Sequence, residues 1–570
     1  MEYDEQLEEY GILATNAKID IKDNKITINN KNTKRAEIEN IDCQKLQEKG
    51  VQKIDFRDCT FIKQLSLSES ELCDTNIKSL TFYGCYFTES VDLQNINIET
   101  SFILCDFQQE AIFCNSIFNN QKTITFARIT FNKKADFSNA IFRQNTKFLE
   151  VTFKEEANFY MTNFDCNNAT FNTCVFKDNV YFNNSTFKDS ADFHECEFEK
   201  TASFYGVTFK KTPNFSNSAF KNNVYFNNSI FEDYADFHEC EFEKTASFYG
   251  VTFKKTPNFS NSAFKNNVYF NNSIFEDYAD FHECEFEKTA SFYGVTFKKT
   301  PNFSQAIFKS NLNITNANLN FDFDKLEAKI KQEHNNDNKK SLDKFANDFR
   351  DSFRGFKSAL IKDNNLLDAS EFHKYELYCK ELELKHKGKK TLKDKIDYWQ
   401  LWFYRNLCEH HTDILKSFNS LMLVIGLFSL VSLGVIIGFK YCLGYESIFS
   451  HLYMVKDFYN AHIQAFVEIH TLCAVIFNLF ILVIYLVILL LSISVKCKYI
   501  RGFFIGISYV VVIGILLVSP KILIPAMGIF TDKRALLDPL STLGGIYTIV
   551  FGFVLFSFIK TIRKNSIVPS

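Results

Sequence analysis

The stretch Lys177–Phe220, KDNVYFNNSTFKDSADFHECEFEKTASFYGVTFKKTPNFSNSAF, decides the architecture of this chain. Its phenylalanines stand at Phe182, Phe187, Phe193, Phe198, Phe204, Phe209, Phe215 and Phe220, in steps of alternately five and six residues. The same beat runs unbroken from Phe171 to Phe308 and more loosely back to Phe56. It fits neither a helix of period 3.6 nor a strand alternating at 2, so it belongs to a larger repeating unit.

Two positions before most of these rings sits a small side chain: Ala191, Cys196, Ala202, Val207, Pro213, Ser218, Val224, Ser229. Residues i−2 and i of an extended segment point to one side, i−1 points to the other, and the residues between segments turn a corner. Four such faces close a coil of about 22 residues, and successive coils pair their backbones at roughly 4.8 Å. The interior becomes a column of stacked Phe, each ring contributing about 1.5 to 3 kcal/mol against chain entropy.

Ala135-Asp136-Phe137, Ala157-Asn158-Phe159, Ala191-Asp192-Phe193 and Ala235-Asp236-Phe237 share the pattern A-[DN]-F followed by two polar residues. This resembles the pentapeptide-repeat family, and the resemblance implies a right-handed quadrilateral β-helix over residues 51 to 322. The chain departs from that pattern by using Phe where Leu is commoner and by inserting a sixth residue at every second face. The extra residue is expected to widen alternate corners. The family is defined by architecture, so the resemblance speaks to fold more than to function.

Within the array, units 177–220, 221–264 and 265–308 are near copies. The first two differ only at Asp178/Asn222, Thr186/Ile230, Lys188/Glu232 and Ser190/Tyr234, all outward or corner positions. Each unit makes two coils, so a copy lengthens a rod by about 9.6 Å without disturbing its neighbours. A repetitive contact surface tolerates that; a pocket assembled across coils would not. The thrice-repeated His-Glu-Cys (His194-Glu195-Cys196, His238-Glu239-Cys240, His282-Glu283-Cys284) contains ligand types. Its Cys takes an inward slot and its His an outward one, however, and successive copies lie too far apart to share an ion. The pairs Asn183-Asn184, Asn227-Asn228 and Asn271-Asn272 read as corners.

Of 16 cysteines, Cys59, Cys85, Cys105, Cys174, Cys196, Cys240 and Cys284 fall in inward i−2 slots, and no C-x-x-C pair occurs. Met1–Tyr10 is acidic, without the basic and apolar regions of a cleavable secretion signal, so a reduced, cytosolic array is expected. Residues 1–50 read as an N-terminal cap. Residues 323–397 read as a helical neck containing a hairpin. Its first arm carries Leu342, Phe345, Phe349, Phe353, Phe356 and Leu360 behind a Ser341 cap. The second starts at Asp368 with Glu371 as capping partner, and lines up Phe372, Tyr375, Tyr378 and Leu382. These stripes would bury each other or cover the open end of the β-helix.

The neck ends in Lys385, Lys387, Lys389, Lys390, Lys393 and Lys395, followed by an aromatic run, 398–417, with both tryptophans, Trp399 and Trp402. Lysines beside aromatic residues near apolar segments read as an interfacial helix meeting anionic headgroups. Four apolar segments follow, about 418–439, 472–495, 503–527 and 541–559, each long enough to span a bilayer, within a membrane domain 418–565. Lys496, Lys498 and Arg501, then Lys560, Arg563 and Lys564, place both termini in the cytoplasm of an inner membrane, with Lys533 and Arg534 as exceptions outside and Pro520, Lys521 and Pro525 making the third segment irregular. A three-span topology stays open.

A potassium-selective filter of T-V-G-Y-G type is absent; the nearest stretch is Ser541-Thr542-Leu543-Gly544-Gly545-Ile546-Tyr547. Inside the segments the polar residues are few: Lys521 near a proline break, Glu468 and His470 at the mouth of the second, and Asn478, read as a packing contact. Mimicry of DNA toward gyrase needs a strongly negative rod. Unit 177–220 instead has six acids (Asp178, Asp189, Asp192, Glu195, Glu197, Glu199) against five lysines (Lys177, Lys188, Lys200, Lys210, Lys211), and the whole chain carries net charge −3. There is no G-x-S-x-G, H-E-x-x-H or phosphate-cradling loop, and with 19 Gly in 570 residues few flexible loops on which to mount an active site. The expectation is a non-catalytic integral membrane protein of a bacterial type, without cofactor or metal, presenting a cytoplasmic β-helical rod as a scaffold. A channel or transport role, with the rod as regulatory domain, is the alternative. The partners expected are cytoplasmic proteins of unknown identity and membrane lipid, with homo-oligomerisation left open and nucleic acid excluded.

Overall fold

Each step of the Phe beat forms a strand only two or three residues long. One coil runs through Val224–Tyr225, Ile230–Phe231, Ala235–Asp236 and Glu241–Phe242, here called the first to fourth faces. Each strand pairs in parallel with the strand one coil on: Val224 with Ala246, Ile230 with Thr252, Ala235 with Pro257, Glu241 with Ala263. The result is a β-solenoid of four sheets with 14, 12, 12 and 10 strands. The computed structural model describes residues 4–31, 34–67, 77–97, 99–119, 123–319, 321–336, 340–362, 364–443, 468–494, 498–518 and 539–565.

All eight rings from Phe182 to Phe220 are at most 1% exposed. Each lies nearly parallel to the ring one coil on, as in Phe182–Phe204 (5.1 Å, 3°) and Phe193–Phe215 (4.8 Å, 2°). Neighbouring columns meet edge to face, as in Phe182–Phe193 (5.4 Å, 86°). Both geometries suit aromatic quadrupoles and add about 0.5 to 1.5 kcal/mol per pair beyond burial. Inward serines complete the backbone: Ser229 Oγ donates to the Phe204 carbonyl and accepts from the Val207 amide at 3.1 Å.

The two corner lengths use different turns. Five-residue corners place one residue in the left-handed region, such as Asn228 (φ 57°) and Glu239 (φ 54°). Six-residue corners do without it. There an Asp or Asn caps the next amide, as when Asp233 Oδ1 accepts from Tyr234 N at 2.9 Å. The sixth residue therefore replaces a strained φ with an ordinary one, while four separate flat sheets persist. The expected pairs Asn183-Asn184, Asn227-Asn228 and Asn271-Asn272 sit at five-residue corners, their second residues at φ 56–57°.

At the N-terminal end, β1 (Ile12–Thr15) pairs antiparallel with β4 (Ala36–Ile41), and β2 (Ala17–Lys22) with β3 (Lys25–Asn30). The parallel stack begins where β3 meets β5 (Lys53–Arg57). Short helices α1 (Glu5–Glu9) and α2 (Cys43–Glu48) complete this end. After the array come three helices, where the sequence suggested a hairpin: α3 (Phe323–Asn336), α4 (Leu342–Lys362) and α5 (Leu366–His386). Of the predicted stripe of α4, Phe345, Phe349, Phe353, Phe356 and Leu360 are buried and Leu342 is half-buried, and Phe356 packs edge-on against Phe303 at 4.8 Å, closing the column of rings. The second arm begins at Leu366, ahead of the expected Asp368. Its cap is Asn365, whose side chain accepts from the Asp368 amide at 3.3 Å and donates to the Asp368 carboxylate at 2.7 Å. Glu371 instead pairs with Lys374.

The chain divides into two compact units, Met1–Cys379 and Lys380–Ser570, with the division inside α5. The second contains α6 (Leu392–Cys408), α7 (Ile414–Leu443), α8 (Thr471–Ser494), α9 (Lys498–Val518) and α10 (Pro539–Asn565). Its core gathers Leu407, Val424, Phe428, Tyr485, Leu543 and Tyr547. Among the described residues three helices are long and apolar enough to cross a membrane, over Ile414–Val431, Thr471–Leu489 and Leu543–Arg563. The third of the four predicted segments forms α9, with a shorter apolar run at Tyr499–Gly514. Its predicted distal end, with Pro520, Lys521 and Pro525, lies outside the described residues, as do Lys496, Lys533 and Arg534.

Three outcomes follow from this packing. In-frame deletion of 221–264 leaves Phe220 followed by a lysine, as before; the protein should stay folded, with a rod shorter by about 9.6 Å in small-angle scattering. Phe204→Ala should cost about 3–5 kcal/mol in denaturant unfolding, because the rigid stack cannot collapse into the void. Burial works to raise the pKa of Glu376, but hydrogen bonds from His373, Lys357 and Arg354 outweigh it and hold the group at about 2, against an ordinary value of 4.5. That contribution to the helical cap is complete above pH 4.5 and lost as pH falls toward 2. Glu376→Gln should flatten the thermal stability curve in that window.

Candidate interaction surface

With the interior filled by rings, whatever the rod recognises must be read by its outward residues. At the corner between the first and second faces, Tyr205, Tyr249 and Tyr293 stand 41–46% exposed. Their hydroxyls accept from the amides of Asn228, Asn272 and Asn316 on the next coil at 3.1–3.2 Å. The corner needs glycine beside each Tyr: Gly250 has φ 66°, and a Cβ there would come within 2.6 Å of Asn228 Oδ1. On the third face Asp and Asn alternate coil by coil, Asn258 Nδ2 donating to Asp236 Oδ1 at 3.2 Å and Asn302 to Asp280 at 3.0 Å. Acid and lysine likewise alternate at the corner between the second and third faces, where Lys254 pairs with Glu232 at 3.2 Å and Lys298 with Glu276 at 2.8 Å. Each stripe carries mixed sign.

The His-Glu-Cys copies separate as the spacing predicts. Cys240 is 1% exposed, and its thiol donates to the Phe215 carbonyl at 2.9 Å. The His238 ring lies outward, Nδ1 within 3.0 Å of both Ser260 oxygens and Nε2 3.3 Å from Glu239. Burial pushes the Cys174 thiol up to about 12 and raises Cys196 and Cys284 well above their ordinary value. Such thiols are packing groups, not nucleophiles.

The basic and aromatic segment divides between two elements. Lys385 ends α5, Lys387, Lys389 and Lys390 lie in the connection, and Lys393 and Lys395 open α6. All are exposed except half-buried Lys387, which pairs with Asp394 at 3.0 Å. Thr391 and Asp394 form a capping box that starts α6. Trp399 is 60% exposed and meets Trp402 edge-on at 5.4 Å. Phe403 and Tyr404 instead turn into the helical unit, each 5.8 Å from Phe553 of α10. The expected single helix 398–417 is interrupted: α6 ends at Cys408, and Glu409, His410 and His411 take φ of 47°, 54° and 70° before α7 begins. His411 Nδ1 is 3.2 Å from both the Ser557 carbonyl and Thr561 Oγ1, which secures this left-handed turn. Leu543–Tyr547, within the stretch nearest a filter, is helical inside α10.

Stretches 171–217, 193–241 and 237–285 match the family model described as pentapeptide repeats, with nine copies. Over residues 171–285 the solenoid is an array of pentapeptide repeats. Comparison with curated proteins and with solved structures gave no match. The pentapeptide-repeat array supplies the rod, and the apolar helices lie beyond the matched stretches.

One functional-unit contact was hidden from sequence reasoning. Glu381 is 1% exposed and receives two hydrogen bonds from Arg405, at 2.8 and 3.0 Å. A charge on α5 and another on α6, 24 residues apart, carry no local signal of pairing. Arg405→Ala leaves a buried carboxylate unpaired and should destabilise the helical unit by about 3–5 kcal/mol in detergent unfolding, whereas replacing both partners by Met should be close to neutral.

Proposed function

We propose that this protein is a membrane-anchored, non-catalytic scaffold whose pentapeptide-repeat rod carries a repeated protein-interaction surface. The observation that carries this reading is that variation between the first two units is confined to the outside. They differ only at outward or corner positions, and all three units keep every inward Phe and a small residue in the slot before it, Ala306 standing where the second unit has Ser262. The rod's mixed charge favours protein partners over a role as a stand-in for polyphosphate. The apolar helices act as the anchor, in a multi-pass arrangement in the inner membrane. Exposed Lys385, Lys389, Lys390, Lys393 and Lys395, with Trp399 and Trp402, meet anionic headgroups on the cytoplasmic side. Arg501, Lys560 and Arg563 share that side, so both termini and the rod are cytoplasmic.

Crosslinking the full-length protein in its native membrane, beside a variant lacking 51–322, tests the reading. Specific cytoplasmic proteins captured only with the rod present are the expected result. Self-crosslinks alone, identical in both, would overturn it and shift attention to conduction by the helical unit in liposomes.

A further inference from the structure

Three of the four differences between units 177–220 and 221–264 fall on one edge of the rod, the second face and the six-residue corner beside it. There Thr186, Lys188 and Ser190 give way to Ile230, Glu232 and Tyr234, and unit 265–308 repeats the change with Ile274, Glu276 and Tyr278. In that last unit two lysines lie over the Tyr278 ring, Lys299 of the rod at 4.8 Å from its centroid and Lys329 of the chain's own helix. Lys329 of α3 is 4% exposed, and its Nζ lies 4.4 Å from the centroid of the Tyr278 ring. Thr300 and Asn302, one coil on, are 1% and 2% exposed, whereas their counterparts Thr256 and Asn258 are half-buried.

In the second unit Ile230 is as exposed as Ile274 (37% against 36%) and Tyr234 is half-buried like Tyr278, but among the described residues no cation lies over the Tyr234 ring. Asp233 adjoins that ring in sequence, and Glu232 beside it pairs with Lys254 at 3.2 Å. An electron-rich face beside a carboxylate attracts an ammonium or guanidinium group, more strongly as water is excluded. In the first unit Ser190 offers no ring and Lys188 repels a cation.

We propose that the edge Ile230–Tyr234 is the docking position for a lysine- or arginine-bearing helix of a partner protein, seated as α3 is seated on the following unit. The proposal rests on the scaffold reading and names where the partner binds and by what chemistry. Tyr234 supplies the cation seat and Asp233 a carboxylate beside it.

The probe is a fluorescent peptide of residues 321–337, stapled into a helix on the side away from Lys329, titrated into the full-length protein in detergent. One saturable equivalent is expected. Tyr234→Ala should weaken it about tenfold, as should Lys329→Met in the peptide, while Tyr278→Ala should leave its affinity unchanged. Lys188→Glu with Ser190→Tyr should raise the stoichiometry from one to two. Tyr234 points outward, so an unchanged thermal transition will show that its replacement leaves the fold intact. No saturable binding, or binding indifferent to Tyr234→Ala, overturns the proposal. If the peptide binds as expected but native-membrane crosslinking captures no cytoplasmic protein, the docking site stands and the scaffold reading fails.

Discussion

A phenylalanine ring one strand spacing above another is the contact on which the rod depends. Parallel backbone pairing and ring stacking prefer nearly the same separation, so each coil satisfies both at once; Phe264 and Phe286 stack at 5.1 Å with no angle between them. A coil alone has almost no interior. Its rings become buried only when another coil, or a cap, covers them, which is why Phe356 of α4 continues the column where the repeats end.

The same constraint leaves the outside of the rod unusually independent of its fold. Inward slots accept only Phe and a small partner, whereas outward positions in neighbouring coils carry Tyr, Ser, Asp, Asn, Lys or Glu on the same backbone. Duplicating a unit therefore multiplies a surface without redesigning a core. Substitutions such as Lys188/Glu232 and Ser190/Tyr234 then give otherwise equivalent coils different chemistry. A rod built this way suits recognition by repeated contacts better than catalysis, which needs unlike groups converging on one point.

The helical unit obeys different physics. Its three long apolar helices share a cluster around Tyr485 and Tyr547, while ahead of them Arg405 of α6 pairs with the buried Glu381 of α5. The consecutive left-handed residues Glu409, His410 and His411 fix where α6 stops and α7 starts, and contacts from His411 to α10 hold them there.

The solenoid was legible from residues alone because its core is periodic: the Phe spacing specifies strand, corner and stacking together, and the rings from Phe171 to Phe303 proved buried, with Phe308 in the last coil half-buried. The lengths and hydropathy of three of the four predicted apolar segments were legible for the same reason, each being a local property. Only the tertiary structure decided the third helix of the cap, the Asn365 cap of α5, the break after Cys408 and the inward turn of Phe403 and Tyr404. It alone placed Lys329 over Tyr278, 51 positions away in sequence. These features depend on pairings between distant residues that occur once, and a pairing that occurs once leaves no period to read.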